Sequence, residues 1–172
     1  MKQSHHTKEV DMRKALFMFV VFQLSQSVMS CVSTDLTGEQ KAVLLAFEEV
    51  YDSYKTDFIL DDAQTYTVME GDTLPAIIRR IYGAGNGYFF PLVVLASRDI
   101  ILNTDVLKPG MKLTIPNLNK NLSDPDTRQS LKYFLYDVAD IYEKKEAAET
   151  QEYKKQLAVD LKSRLRNQAD AL

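Results

Sequence analysis

The side chains best suited to chemistry are few in this 172-residue chain, and they lie near its start. The two histidines are His5 and His6, and the single cysteine is Cys31. One cysteine excludes an intrachain disulfide and a cysteine-rich zinc site. Removal of the N-terminal segment would also exclude Ser-His-Asp and Cys-His catalysis and histidine-ligated metal centres. We therefore expect no metal site and no cofactor.

Two pairs of acidic residues are the remaining candidates for acid–base catalysis: Glu48 with Glu49, and Asp61 with Asp62. Adjacent residues do not face each other on a helix. Glycoside hydrolysis needs two carboxylates on opposite sides of a cleft, and the segments around these pairs are too short to supply one. The sequence therefore predicts a protein that is not an enzyme, and a cell-wall hydrolase is the disfavoured alternative.

The overall composition is that of an ordinary soluble domain. The chain is 45% hydrophobic and 26% charged, with a formal net charge of −3. Those values argue against disorder and against several membrane spans. A pI near 5.4 argues against electrostatic binding of nucleic acid or of an anionic bilayer. We expect no nucleic-acid partner.

The first thirty residues have the layout of a secretory signal peptide. The basic pair Arg13 and Lys14 precedes an apolar run over 15–22, and a more polar stretch with small residues follows. The apolar run is too short to span a bilayer. We expect residues 1–30 to be a leader, with translation from Met1 or Met12; a buried N-terminal helix is the alternative.

The end of this leader resembles a bacterial lipoprotein box. It reads Val28-Met29-Ser30-Cys31: an aliphatic residue, a variable residue, a small residue and a cysteine. The resemblance implies cleavage after Ser30 and lipid attachment at Cys31, so that the protein is exported and anchored on the periplasmic side of the envelope. Val32 favours the outer membrane by analogy with lipoprotein sorting. An exported lone cysteine also has no intrachain partner.

The distribution of glycine and proline divides the rest of the chain into a centre that is rich in both residues and two flanks that are nearly free of them. Five of the six glycines and four of the five prolines lie between residues 71 and 116. Frequent glycine and proline indicate short elements joined by tight turns, whereas the flanks should be helical. We predict an α+β fold with an N-terminal helical segment over 31–62, a central module over 63–117 and a C-terminal helical segment over 118–172.

Each flank carries an apolar stripe at helical spacing. The predicted helices are Glu39–Lys55 and Pro125–Tyr142, followed by a charged stretch in which Leu157, Leu161 and Leu165 continue a thin stripe. We expect the two helices to pack against each other beside the module, with the charged stretch as a solvated helix face. Partner-binding faces are the alternative.

The central module reads strand, helix, helix, strand. Tyr66–Met69 is β-branched and aromatic, and Asp72 is a suitable N-cap for a helix that runs to Tyr82. A second apolar helix is predicted from Tyr88 to Arg98, and a second strand over Lys112–Ile115.

Two motifs at the ends of this module, YTVMEGDTL and NTDVLKPGMKLTIP, resemble those of a LysM domain. The resemblance covers about residues 65–117. It implies a two-stranded antiparallel sheet with both helices on one side. It also implies binding of glycans that contain N-acetylglucosamine, such as peptidoglycan.

The expected glycan site lies where the turn after the first strand meets the loop after the second helix. Its first lip is Gly71, Asp72, Thr73 and Leu74, and its second lip is Asp99, Ile100, Ile101, Leu102 and Asn103. Structural roles compete with sugar contact at these positions, because glycine suits a turn, aspartate an N-cap and leucine a core. The aromatic run Tyr88-Phe89-Phe90 is expected to be core, with a sugar-stacking platform as the alternative.

Together these features predict a non-catalytic, lipid-anchored envelope protein that binds peptidoglycan or a related glycan. The alternative is an envelope scaffold whose helical flanks dock a protein partner, with weak or no glycan binding.

Overall fold

A computed structural model describes residues 36–101 and 107–172. The predicted leader, the lipidation residue Cys31, and Leu102 and Asn103 of the predicted second lip lie outside the described residues. Residues Gly38–Leu172 belong to one compact unit.

The described residues are mostly helical and contain one two-stranded sheet, which confirms the α+β class. In chain order the elements are α1 (Gly38–Ser53), β1 (Gln64–Thr67), α2 (Leu74–Tyr82), a 3-10 helix (Ala84–Phe89), α3 (Phe90–Ala96), β2 (Lys112–Ile115), α4 (Leu118–Ser123), α5 (Pro125–Ala148) and α6 (Glu152–Asp170). Among these residues, no helix is both long enough and apolar enough to cross a membrane.

The two strands pair antiparallel, with Gln64 opposite Ile115 and Thr67 opposite Lys112. Strand β1 therefore begins and ends two residues earlier than the predicted Tyr66–Met69. Pairing nevertheless continues past its end, because the Val68 N–H donates to the Met111 carbonyl at 2.9 Å. The first motif is therefore hydrogen-bonded to β2, and to the residue before it, as far as Val68.

The second helix of the module is shorter than predicted. Residues 84–89 form a 3-10 helix, and α3 begins only at Phe90, with Pro91 in its first turn. Proline lacks an N–H, so it is accommodated at a helix start. The end of α3 is joined to β2 by Ser97, whose hydroxyl accepts from the Thr114 N–H at 2.9 Å.

The predicted packing of the two flanks against each other is confirmed. Rings of α1 and of the turn that follows it meet a ring of α5: the centroid of Phe134 lies 5.2 Å from Tyr51 and 5.0 Å from Tyr54. Phe47 lies 5.4 Å from Tyr142 in an edge-on arrangement. Edge-on and tilted aromatic pairs add stabilisation beyond the burial of their area.

The module and the flanks share one hydrophobic core. Side chains from all three segments belong to the same buried cluster, among them Tyr51, Val68, Ile77, Leu92, Leu113, Phe134 and Leu165. The helical flanks are consequently structural parts of the folded unit, and removing the module would expose apolar surface on both of them.

The C-terminal flank is a helical hairpin, which the sequence patterns did not predict. Helix α5 ends at Ala148, extended backbone at Glu149 reverses the chain, and α6 runs back along α5. Pairs across the hairpin join Tyr136 to Asp170, and Arg166 to Asp140 at 2.8 Å. The predicted thin stripe is divided in consequence, since Leu165 is buried whereas Leu157 is half exposed.

The Tyr51 hydroxyl provides a direct test of this core. Within the described part of the chain it is buried and meets no hydrogen-bond partner, and burial raises the pKa of Tyr51 well above its ordinary value. An unsatisfied buried polar group costs about 1–3 kcal/mol. Tyr51→Phe is therefore expected to increase the free energy of unfolding in urea by about 1–3 kcal/mol.

The matched control is Tyr82→Phe, because the Tyr82 hydroxyl donates to the Pro116 carbonyl at 2.6 Å. Loss of that bond should lower the free energy of unfolding by about 1 kcal/mol. A destabilised Tyr51→Phe protein would show that the Tyr51 hydroxyl has a partner in solution.

Candidate functional site

The turn after β1 is organised by the carboxylate of Asp72. It accepts hydrogen bonds from the Met69 N–H at 2.9 Å and from the Tyr66 hydroxyl at 2.7 Å. It also forms an ion pair with Arg80 at 3.1 Å, and its side chain is only 5% exposed. The guanidinium of Arg80 donates to the Tyr66 hydroxyl as well, at 2.8 Å. This network connects β1, the turn and α2.

The predicted role of Asp72 as a helix N-cap is wrong. The N-cap of α2 is Thr73, whose side chain makes no capping hydrogen bond. The carboxylate of Asp72 instead bonds backward to Met69, so it stabilises the turn rather than the helix end. These bonds, led by the one from the Met69 N–H, lower the pKa of Asp72, and the Arg80 ion pair contributes in the same direction.

Acid should therefore weaken this turn. Because the pKa of folded Asp72 lies below its ordinary value of 3.8, the stabilisation is present above that pH and is lost as the pH falls through the folded-state pKa. Asp72→Asn should be less stable than the wild type at pH 7. We expect the difference between the two proteins in urea unfolding to shrink as the pH is lowered from 5 towards 2.

The neighbouring exposed carboxylate provides the control for this prediction. Glu70→Gln should unfold at the same urea concentration as the wild type at pH 7, because Glu70 is exposed. An Asp72→Asn protein whose stability falls with acid as steeply as that of the wild type would show that Asp72 is not the titrating group.

The other residues of the first lip differ in what they offer to a ligand. Gly71 has a φ of +80°, and an added Cβ would meet no atom within 4 Å, so glycine is needed there for its backbone conformation. Leu74 is 4% exposed and belongs to the core, as its structural role predicts. Thr73 is exposed. The accessible part of this lip is therefore Thr73 with the backbone around it.

The described residues of the second lip are divided between surface and core. Asp99 is exposed and Ile100 is 43% exposed, but Ile101 is 1% exposed and packs in the main core cluster. Ile101→Asp is therefore expected to destabilise the fold rather than only to alter a sugar-binding surface. It would place a carboxylate in the core, which carries a large desolvation cost.

A groove of about 630 Å³ opens beside the first lip. Residues 72–75 contribute to its lining, and so do residues of helices α5 and α6. The groove is lined by Asp72, Thr73, Leu74, Pro75, Phe90, Leu107, Tyr142, Lys145, Tyr153, Lys154, Leu157, Ala158 and Leu161. Of the described lip residues, Gly71, Asp99, Ile100 and Ile101 are not part of this lining.

Sequence reasoning missed the wall of the groove that α6 supplies. Tyr153 is 69% exposed and Leu157 is 50% exposed, and both lie within a stretch that the sequence assigned to a solvated helix face. The available signal was an aromatic residue followed by lysines inside a charged run. That signal alone does not indicate which surface the helix faces.

The aromatic run before α3 is mainly core, as expected. Phe89 and Phe90 are 1% and 2% exposed. Tyr88 is half-buried, and the guanidinium of Arg164 on α6 lies 5.3 Å from the centroid of its ring. A cation over the ring face makes Tyr88 part of the contact between the module and α6.

The two acidic pairs do not share a cleft. Glu48 and Glu49 lie exposed on α1, and Asp62 is paired with Lys120. Among the residues that the structure describes, no group of three or more His, Cys, Asp or Glu side chains could hold a metal ion.

Comparison of the chain with protein-family models, with curated proteins and with solved structures gives no match.

Proposed function

We propose that this protein is a non-catalytic, lipid-anchored component of the bacterial cell envelope that binds peptidoglycan through a LysM-type module. The observation that carries the proposal is the placement of the two motifs. The first motif begins on β1 and the second ends on β2, the strand paired with it, with α2, the 3-10 helix and α3 between them. Residues 72–74 of the first motif line an open groove. The proposed lipid on Cys31 provides the membrane attachment.

A weak individual site is consistent with this function. At about 0.3 kcal/mol per heavy atom, a sugar of roughly 15 atoms contributes only ~4–5 kcal/mol, which corresponds to a millimolar dissociation constant. Longer glycan strands should bind more tightly because they make more contacts. A lipid anchor would also hold the module close to the wall, so that effective concentration compensates for weak affinity.

The test is sedimentation of a soluble chain, residues 32–172, with purified peptidoglycan. The wild type should sediment with the wall, and Thr73→Glu should sediment at least tenfold less. The glutamate narrows the groove and has to be desolvated when a glycan binds. An acidic residue at a helix N-terminus is favourable, so α2 should remain folded.

Thr67→Glu is the matched control. Thr67 is an exposed threonine of β1, it lies outside the groove lining, and its register partner is Lys112. An opposite charge across the strands is favourable. The proposal would be contradicted if the wild type did not sediment with peptidoglycan. It would also be contradicted if both variants sedimented to the same extent as the wild type.

The scaffold function remains the second candidate because of a separate apolar surface. A groove of about 580 Å³ lies between the start of α1 and the end of α5, and it is lined mainly by small apolar side chains. Leu45 at its edge is 63% exposed. A protein partner that co-purifies with the intact chain and is lost from Leu45→Lys would favour this candidate. The intact chain is required because the module and the flanks share one core.

A further inference from the structure

The groove beside the GDTL turn has a second wall that does not belong to the module. Helix α6 contributes Tyr153, Lys154 and Leu157, which lie within its first two turns. Tyr153 is 69% exposed and Leu157 is 50% exposed, so this wall presents an aromatic ring and an aliphatic side chain to solvent. A tyrosine ring supplies an apolar face together with a polar tip, a combination suited to an amphipathic ligand such as a sugar.

The charge of this groove differs in sign from that of the chain. The chain carries a net charge of −3, whereas the described lining contains two lysines, Lys145 and Lys154, and one carboxylate. That carboxylate, Asp72, is already paired with Arg80. Lys154 is half-buried and forms no ion pair with any residue that the structure describes. The groove therefore offers a cation to a ligand, and its one acidic group is compensated from outside the lining.

We propose that α6 is the second wall of the glycan site and that it selects glycans bearing carboxylates over neutral ones. The ring of Tyr153 packs against a sugar ring, and the ammonium of Lys154 pairs with the free lactyl carboxylate of an N-acetylmuramic acid residue that carries no stem peptide. The turn at Asp72 and Thr73 contacts the same strand from the other side. This inference rests on the proposed glycan-binding function, and it adds a preference for peptide-free peptidoglycan strands over chitin.

The experiment compares two peptide-free tetrasaccharides, titrated against soluble residues 32–172 while amide shifts are followed. One consists of four N-acetylglucosamine residues, and in the other N-acetylglucosamine alternates with N-acetylmuramic acid. The wild type should bind the acidic tetrasaccharide about fivefold more tightly, the upper range for a partly exposed ion pair. Lys154→Gln should abolish that preference and leave the affinity for the neutral tetrasaccharide unchanged.

Tyr153→Ala should weaken binding of both tetrasaccharides by about two- to tenfold, since the ring contact does not depend on charge. The matched controls are Tyr133→Ala, an exposed tyrosine on α5 outside the groove lining, and Lys155→Gln, the adjacent lysine outside the lining. Both should bind as the wild type does. Thermal unfolding of each variant should match the wild type, because neither Tyr153 nor Lys154 belongs to the core.

The outcomes separate this inference from the proposed function. Equal affinities of the wild type for the two tetrasaccharides, or wild-type behaviour of both Lys154→Gln and Tyr153→Ala, would overturn the role of α6 while glycan binding stands. Absence of any shift with either tetrasaccharide at millimolar concentration would overturn the glycan site itself, and the role of α6 with it.

Discussion

Phe134→Ala is expected to destabilise the protein by about 3–5 kcal/mol, the range for truncation of a fully buried aromatic residue. Phe134 has no exposed surface. Its ring lies within 5.4 Å of three aromatic rings, those of Tyr51, Tyr54 and Phe58. The cavity would therefore open where the N-terminal flank meets α5. Urea unfolding followed by circular dichroism measures the loss.

The control is the adjacent residue, Tyr133, which is 55% exposed. Tyr133→Ala should change the free energy of unfolding by no more than about 0.5 kcal/mol, as is usual for surface substitutions. A small loss for Phe134→Ala would show that α1 detaches easily from α5 in solution. That result would favour the scaffold function, because the stripe of α1 would then be available to a partner.

Asn121→Ala is expected to cost about 2–4 kcal/mol. Asn121 is fully buried, and its side-chain amide pairs with backbone groups of the segment before β1 in the way a neighbouring strand would. The carbonyl accepts from the Ile59 N–H at 3.0 Å, and the amide donates to the Ile59 carbonyl at 2.9 Å. Alanine would leave both backbone groups of the partly buried Ile59 without these partners, and each costs about 1–2 kcal/mol, the lower part of the range for a buried group. The free energy of unfolding in urea is the measurement.

Asn119→Ala on the same helix provides the comparison, since Asn119 is exposed. It should lower the free energy of unfolding by no more than about 0.5 kcal/mol. If both asparagine variants were equally stable, water would have replaced the amide of Asn121, and the connection from α1 to β1 would be held by other contacts.

The elements that follow from local chemistry could be predicted from the sequence. The start of α5 is one example, because Asp124 accepts from the Thr127 N–H at 2.8 Å and Pro125 occupies the first turn. Both signals act over three residues or fewer. The apolar spacing of α1 likewise predicted a helix, and the structure has Gly38–Ser53 in place of Glu39–Lys55. Helix ends vary by a residue or two because capping and fraying are local.

Roles that depend on which partners a single polar side chain selects could not be predicted. Asp72 has the residue type and position of an N-cap, yet its carboxylate bonds to Met69, Tyr66 and Arg80. Asn121 lies in a polar stretch and nevertheless is buried, because its amide pairs with Ile59, far away in the chain. Neither partnership leaves a periodic pattern, since each rests on one side chain that bonds to backbone or side-chain groups in other parts of the fold.

The candidate site shows the same division. The sequence alone identified the motif residues Gly71–Leu74 and the glycine that the turn requires, because backbone conformation is a local property. Only the tertiary structure decided that Ile101 is core and that Tyr153 lines the groove. In the sequence, the charged run around Tyr153 has the pattern of a solvated helix. The reversal at Glu149 brings α6 back against α5 and beside the module, and long-range burial of Leu165 and Ala169 stabilises that position.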